Sequence, residues 1–141
     1  EVWRTAVSLK ADITEELTAS IFWPGTPLHD GAVVIDQHNI IAAGCYLPLT
    51  EKTDISRWYG TRHRAALGVT EMSDALAIAV SEERGEITVA VGGRLSKPLS
   101  EVQLRSICGH YFSYEGRGSN FMDRLREEIV QQWPGSVPNE E

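Results

Sequence analysis

The sequence predicts an α/β fold, a single domain with a mixed β-sheet flanked by helices, on three observations. Short runs rich in β-branched residues, at Gly31 to Ile35, Ile40 to Tyr46, Ala75 to Val80 and Ile87 to Val91, have the length and composition of strands. Between and around them lie segments whose apolar residues recur at helical spacing, such as Ile13, Leu17 and Ile21. Turn-forming clusters separate these segments, and no linker is long enough to divide the chain. With 141 residues the chain can bury one real core but not two independent ones.

Taken in order, Asp12 followed by Glu15 resembles a helix-capping pair, and the helix it opens should end near Trp23-Pro24-Gly25. The first two strands are separated by Asp36-Gln37-His38-Asn39, which reads as a hairpin turn. Thr50 to Gly60 has no periodicity and is expected to be a loop. Thr61 to Gly68 reads as a short helix that starts at an arginine cluster. The turn Ser81 to Glu86 joins the next two strands, and Gly92-Gly93 closes the second. Ser100 with Gln103 forms another capping box, opening a helix through about His110. Met122, Leu125 and Ile129 mark an amphipathic helix that stops at Trp133-Pro134-Gly135.

The bulk composition, 42% hydrophobic and 23% charged, is that of an ordinary globular protein. A net charge of -7 argues against broad nucleic-acid binding, which needs a basic face, but leaves room for a local anion site. Cys45 and Cys108 supply neither a disulfide framework nor a zinc spacing and read as two reduced, buried thiols. No apolar stretch is long enough to span a bilayer and no signal peptide is visible, so a cytoplasmic location is expected. The chain opens on Glu1, which suggests a piece of a longer protein with room for a membrane anchor upstream.

Three polar groups interrupt the apolar scaffold at element boundaries, where sites usually sit. In His29-Asp30-Gly31-Ala32, the glycine and alanine would let a ligand approach the backbone while Asp30 acts as a general base or metal ligand. The plain alternative is a turn aspartate before a strand. Gly60-Thr61-Arg62-His63-Arg64 offers orphan helix N–H groups, two guanidinium groups and an imidazole to an anion; otherwise it is a solvated basic turn. Ser81-Glu82-Glu83 carries oxygens suited to Mg²⁺, Mn²⁺ or a ribose, or is simply a charged hairpin turn. His29 either joins Asp30 on a transition metal or bonds to backbone. Tyr46 and Leu47 close a strand where an adenine ring would stack or where they merely pack.

Together these segments resemble the diadenylate cyclase (DAC, or DisA_N) family. The likeness runs from about Ala11 to about Leu104 through Thr26 to Val34, Ala43 to Leu49, Gly60 to Gly68 and Val80 to Glu83. It includes both hallmark tripeptides, Asp30-Gly31-Ala32 and Arg62-His63-Arg64, and is greatest to the membrane-associated branch. The resemblance implies a catalytic domain over residues 1–108, its N-terminal strand truncated or altered, and a C-terminal extension over 109–141. It further implies that two ATP molecules condense to cyclic di-AMP with release of two pyrophosphates, at a face-to-face homodimer that is transient or stable. By that resemblance Asp30 activates the 3′-hydroxyl, with Arg62 and Arg64 as its catalytic partners. Gly31 and Ala32 admit the nucleotide, Gly60, Thr61, Arg62, His63 and Arg64 hold phosphates, and Tyr46 and Leu47 hold adenine. Ser81, Glu82 and Glu83 complete the polar shell, and His29, Asp30 and Glu83 ligate Mg²⁺ or Mn²⁺. The competing readings are a non-catalytic adenine-nucleotide sensor on the same fold and a metal-dependent phosphohydrolase, the latter short of ligands.

Overall fold

A computed structural model of the chain describes residues 6–55, 57 and 59–113. The chain divides into two compact units, Glu1–Pro48 and Leu49–Glu141.

The first unit holds β1 (Val7–Asp12), α1 (Glu15–Ile21), β2 (Ala32–Asp36) and β3 (Asn39–Cys45). β3 is the central strand and runs antiparallel to both β1 and β2. Asp36 pairs with Asn39, which leaves Gln37 and His38 as a two-residue hairpin loop, with Gln37 at φ 54°. The segment before α1, expected to be a truncated or altered strand, forms β1, with a bulge between Ser8 and Ala11 where Lys10 takes φ 51°.

The cap of α1 is Thr14 and not Asp12: Thr14 Oγ1 accepts the Leu17 N–H at 3.1 Å. Asp12 is held in the ladder opposite Asn39, and the Ile13 N–H donates to the His38 carbonyl at 2.8 Å. Strand pairing therefore claims residues 12 and 13, and the helix begins after them. Ile21, Ile40 and Ala43 form the buried core of this unit, with Leu9, Leu17, Leu28 and Val33 against it.

The second unit holds α2 (Thr61–Glu71), β4 (Leu76–Val80), β5 (Ile87–Val91), β6 (Arg94–Leu95) and α3 (Glu101–Ser113). Its sheet has the order β4-β5-β6, all antiparallel. The period-two alternation of β5 builds two cores. Val89 and Val91 pack with Leu99, Ile107 and Tyr111, while Ala90 packs with Ala66, Leu67, Ala79, Leu95 and Ile55. The second cluster is rich in alanine, so the α2 backbone can approach the strands closely. Gly92-Gly93 closes β5 as expected, but β6 is not legible in the sequence: the two glycines turn the chain back and pair Leu95 with Ala90.

The α/β class holds, but the described strands form two three-stranded antiparallel sheets and not one mixed sheet. The connections explain this. Two residues between β2 and β3 and a six-residue turn between β4 and β5 are far too short for a parallel crossover. α3 begins as expected, with Ser100 N–H donating to Gln103 Oε1 at 2.9 Å and Gln103 N–H to Ser100 Oγ at 3.2 Å. The amphipathic helix expected around Met122, Leu125 and Ile129 lies outside the described residues.

Candidate functional site

Each unit carries one part of the expected site. In the first, the chain between α1 and β2 is fastened by Thr26. Its Oγ1–H donates to the Ile21 carbonyl at 2.9 Å, and its carbonyl accepts the His29 Nδ1–H at 2.7 Å. A carbonyl oxygen can only accept, so the proton sits on Nδ1, and in the neutral ring Nε2 keeps the lone pair. Such backbone anchoring of one ring nitrogen is the usual way to aim the other at a metal.

Asp30 is exposed, and Gly31 follows at φ 99°. A Cβ on Gly31 would lie 2.9 Å from the carbonyl carbon of Gly44 and 3.2 Å from the amide nitrogen of Cys45. The missing side chain therefore serves the contact with β3, a reason the sequence alone does not reveal. The pairing of Ala32 with Cys45 sets the start of β2 beside the end of β3. Asp30, Gly31 and Ala32 thereby share one corner of the unit with Leu47 and with Tyr46, which is 63% exposed. Burial pushes the adjacent Cys45 thiol up, which keeps it protonated.

In the second unit, α2 starts at the N-cap Gly60 (φ -91°, ψ -164°), with Arg64 N–H bonded to the Gly60 carbonyl at 3.2 Å. The N-cap glycine has no side chain to bond the N–H groups of the first turn. A Cβ added at Gly60 would meet nothing within 4 Å. The N–H groups of Thr61 and Arg62 have no intrahelical partner and carry the positive end of the helix dipole.

Arg62 reaches across to the end of β4. Its Nη1 donates to the Val80 carbonyl at 3.0 Å and its Nη2 to Glu82 Oε1 at 2.7 Å. This brings the arginine motif and Ser81-Glu82 together. Ser81 is buried in a tight turn, its N–H bonded to the Glu86 carbonyl and its Oγ accepting the Arg84 N–H at 3.2 Å. The Glu83 carboxylate is largely exposed, 3.9 Å from the Arg84 guanidinium. Arg64 is half-buried, and its side chain makes no ion pair among the described residues.

His63 differs from both arginines. It is 3% exposed, and its Nδ1 accepts the Gly60 N–H at 3.2 Å. Burial, with Arg84 and Arg62 adding to it and Glu86 opposing, pushes the imidazole below the usual histidine range. Tyr59, together with Arg84 and Glu86, which sequence reasoning missed, makes up its surroundings. Arg84 Nε bonds Glu86 Oε2 at 2.9 Å, and the Tyr59 ring lies 4.9 Å from the imidazole.

Among the described residues no group of three or more His, Cys, Asp or Glu side chains is arranged to hold a metal ion. His29 and Asp30 lie in the first unit, where an imidazole and a carboxylate are donor types that suit a divalent ion completed by substrate oxygens; Glu83 lies in the second. No helix among the described residues is long and apolar enough to cross a membrane.

The chain is 46% identical over 116 residues to the cyclic di-AMP synthase CdaA of Bacillus subtilis, covering 82% of this chain and 42% of that protein. It is 48% identical over 103 residues to a diadenylate cyclase of Listeria monocytogenes, covering 73% of this chain and 38% of the relative. The chain thus spans about two fifths of the length of these curated relatives. The crystal structure of DacA from Staphylococcus aureus superposes with a TM-score of 0.74 at 41% identity, covering 77% of this chain and 72% of DacA. A structure described as a hypothetical membrane spanning protein from Bacillus cereus gives a TM-score of 0.65 at 47% identity, over 67% of this chain and 46% of its own. The family model described as DisA bacterial checkpoint controller nucleotide-binding matches residues 1–95, more than half the chain, and the chain belongs to that DAC family.

Proposed function

We propose that the chain is the catalytic module of a diadenylate cyclase, which joins two ATP molecules into cyclic di-AMP and releases two pyrophosphates. The observation that carries this reading is the presence of both Asp30-Gly31-Ala32 and Arg62-His63-Arg64 in a chain this similar to a named cyclic di-AMP synthase and a named diadenylate cyclase. The geometry of each part supports it. An exposed carboxylate at Asp30 and a helix start whose N-cap glycine leaves the Thr61 and Arg62 N–H groups open, beside two arginines, are the groups such a reaction needs.

In this reading Asp30 accepts the proton of an ATP 3′-hydroxyl as that oxygen attacks the α-phosphorus of the second ATP. The new 3′-O–P bond forms as the bond from the α-phosphorus to the pyrophosphate oxygen breaks, and pyrophosphate leaves with the electron pair. The N–H groups at the start of α2 and the Arg64 guanidinium hold the phosphates, and Arg62 adds its remaining donors. Ala32, Tyr46 and Leu47 flank the adenine, and Ser81 and Glu82 border the phosphate side. His29 Nε2, Asp30 and Glu83 would hold Mg²⁺ or Mn²⁺ together with phosphate oxygens. When bound, that ion supplies Lewis-acid neutralisation of phosphate charge.

A two-fold symmetric product made from two identical half-sites calls for a C2 homodimer, with one ATP on each protomer. The catalytic domain takes in residues 1–108, and 109–141 is an extension. The parent protein is membrane-anchored with this module in the cytoplasm, a reading supported by the likeness to a membrane spanning protein.

The test is to incubate the purified chain with ATP and Mn²⁺, and separately Mg²⁺, and identify products by liquid chromatography and mass spectrometry. Cyclic di-AMP with pyrophosphate is expected, and Asp30→Asn should abolish both while still binding ATP. ADP or AMP in their place would favour a hydrolase. ATP bound without turnover at every protein concentration would favour a sensor.

A further inference from the structure

The middle residue of Arg62-His63-Arg64 is built into the protein interior, unlike its neighbours. His63 occupies the third position of α2, counted from the N-cap Gly60. A side chain returning from that position to the N-cap amide is one half of a capping box. Glycine has no side chain to supply the other half, so the single bond from Gly60 N–H to His63 Nδ1, at 3.2 Å, closes the turn. An accepting nitrogen carries no proton, which places the ring hydrogen on Nε2. The groups that bear on the ring are Tyr59, from the loop before α2, Arg62 on α2 itself, and Arg84 and Glu86 from the turn between β4 and β5. A second proton would turn the acceptor into a donor facing the Gly60 N–H, beside two guanidinium groups.

We propose that His63 is a positioning residue and not a phosphate ligand: as a neutral ring it holds the Gly60 amide inward and so fixes the first turn of α2 in the shape that presents the Thr61 and Arg62 N–H groups to phosphate. This rests on the nucleotide-binding reading above. Acid then weakens nucleotide binding by removing the acceptor, without any change in the groups that touch the phosphates. Burial keeps the ring neutral near physiological pH, in agreement with the direction in which its proton affinity is pushed.

Two substitutions separate this role from a ligand role. His63→Leu fills much of the volume and removes the acceptor. His63→Gln restores the acceptor that capping boxes commonly use at this position, and it does not titrate. ATP binding is measured by calorimetry with Mg²⁺ from pH 5 to 8 on the whole chain. His63→Leu should bind about fivefold more weakly at pH 7.5, the loss of one ordinary hydrogen bond. His63→Gln should regain most of that loss. It should also lack the acid-side weakening of the wild type, a comparison in which titration of ATP itself cancels. If the glutamine variant binds as poorly as the leucine variant, or keeps the wild-type acid limb, the proposal is wrong.

Imidazole ¹⁵N spectra of the wild type without nucleotide give a second, activity-free readout. The Nε2–H tautomer is expected, and an Nδ1–H tautomer or a charged ring at pH 7.5 overturns the proposal whether or not ATP binds. An Nε2–H tautomer in a chain that binds no ATP would support the built-in turn and sink the nucleotide reading, which keeps the two failures apart.

Discussion

Substituting Gly31 by alanine tests how Asp30 is held. At φ 99° an alanine incurs backbone strain of about 1–2 kcal/mol. The added Cβ would sit 2.9 Å from the Gly44 carbonyl carbon and 3.1 Å from its Cα, both backbone atoms that no rotamer change can move aside. Displacing β3 to make room costs about a further 1–3 kcal/mol, in the range of overpacked cores. The sum, about 3 kcal/mol, corresponds to a melting temperature lower by roughly 10–20 °C in a domain of this size. Urea titration followed by circular dichroism measures it, with Gly60→Ala as the control. Gly60 has ordinary backbone angles and open space where a Cβ would go, so its substitution should cost less than about 1 kcal/mol. If Gly31→Ala is as stable as Gly60→Ala, the strand-packing account is refuted. If it is stable but binds ATP poorly, the bare backbone at Gly31 serves the nucleotide directly.

Arg64→Ala should leave the melting temperature unchanged, because its side chain makes no ion pair among the described residues, and should weaken ATP binding about tenfold by calorimetry. Thr70, 1% exposed, accepts the Gly93 N–H at 3.2 Å, so Thr70→Val strands that amide and should cost about 1–2 kcal/mol; an unchanged urea midpoint would contradict this. His63 ties stability to pH. Its proton affinity is lower folded than unfolded, so below the ordinary histidine value of about 6.5 the unfolded chain takes up a proton that the folded one refuses. That part of the stability is complete above pH 6.5 and is lost as pH falls toward the folded value. Melting curves at pH 7.5 and 5 should show the loss in the wild type and a smaller one in His63→Gln.

What could be read in advance was local. The hairpin at Asp36 to Asn39 and the box at Ser100 and Gln103 are set by neighbouring residues, and both formed as expected. Where two local signals competed, the tertiary one won: Asp12 has a good capping side chain, but β3 claims its backbone and the cap passes to Thr14. β6 is two residues long and has no pattern to detect. The candidate site residues stood out as types, because Asp30 and the arginines interrupt an apolar scaffold at element boundaries. Their partners were not. Arg62 meets Val80 and Glu82, 18 and 20 residues away, and nothing in the spacing announces that pairing. Nor does a tripeptide reveal that its central histidine points inward.

That clamp on Arg62 also bears on the entropy of ligand capture. A free arginine carries about 2 kcal/mol of rotamer freedom, which a ligand must quench if it is to use the side chain. Here a strand carbonyl and a carboxylate restrict the guanidinium in the ligand-free chain. The ion pair is mostly solvated, so it contributes little to stability and yields readily to a phosphate. Much of the ordering of Arg62 is therefore completed when the chain folds, and under the proposed function a nucleotide would meet a side chain already confined to one region of space.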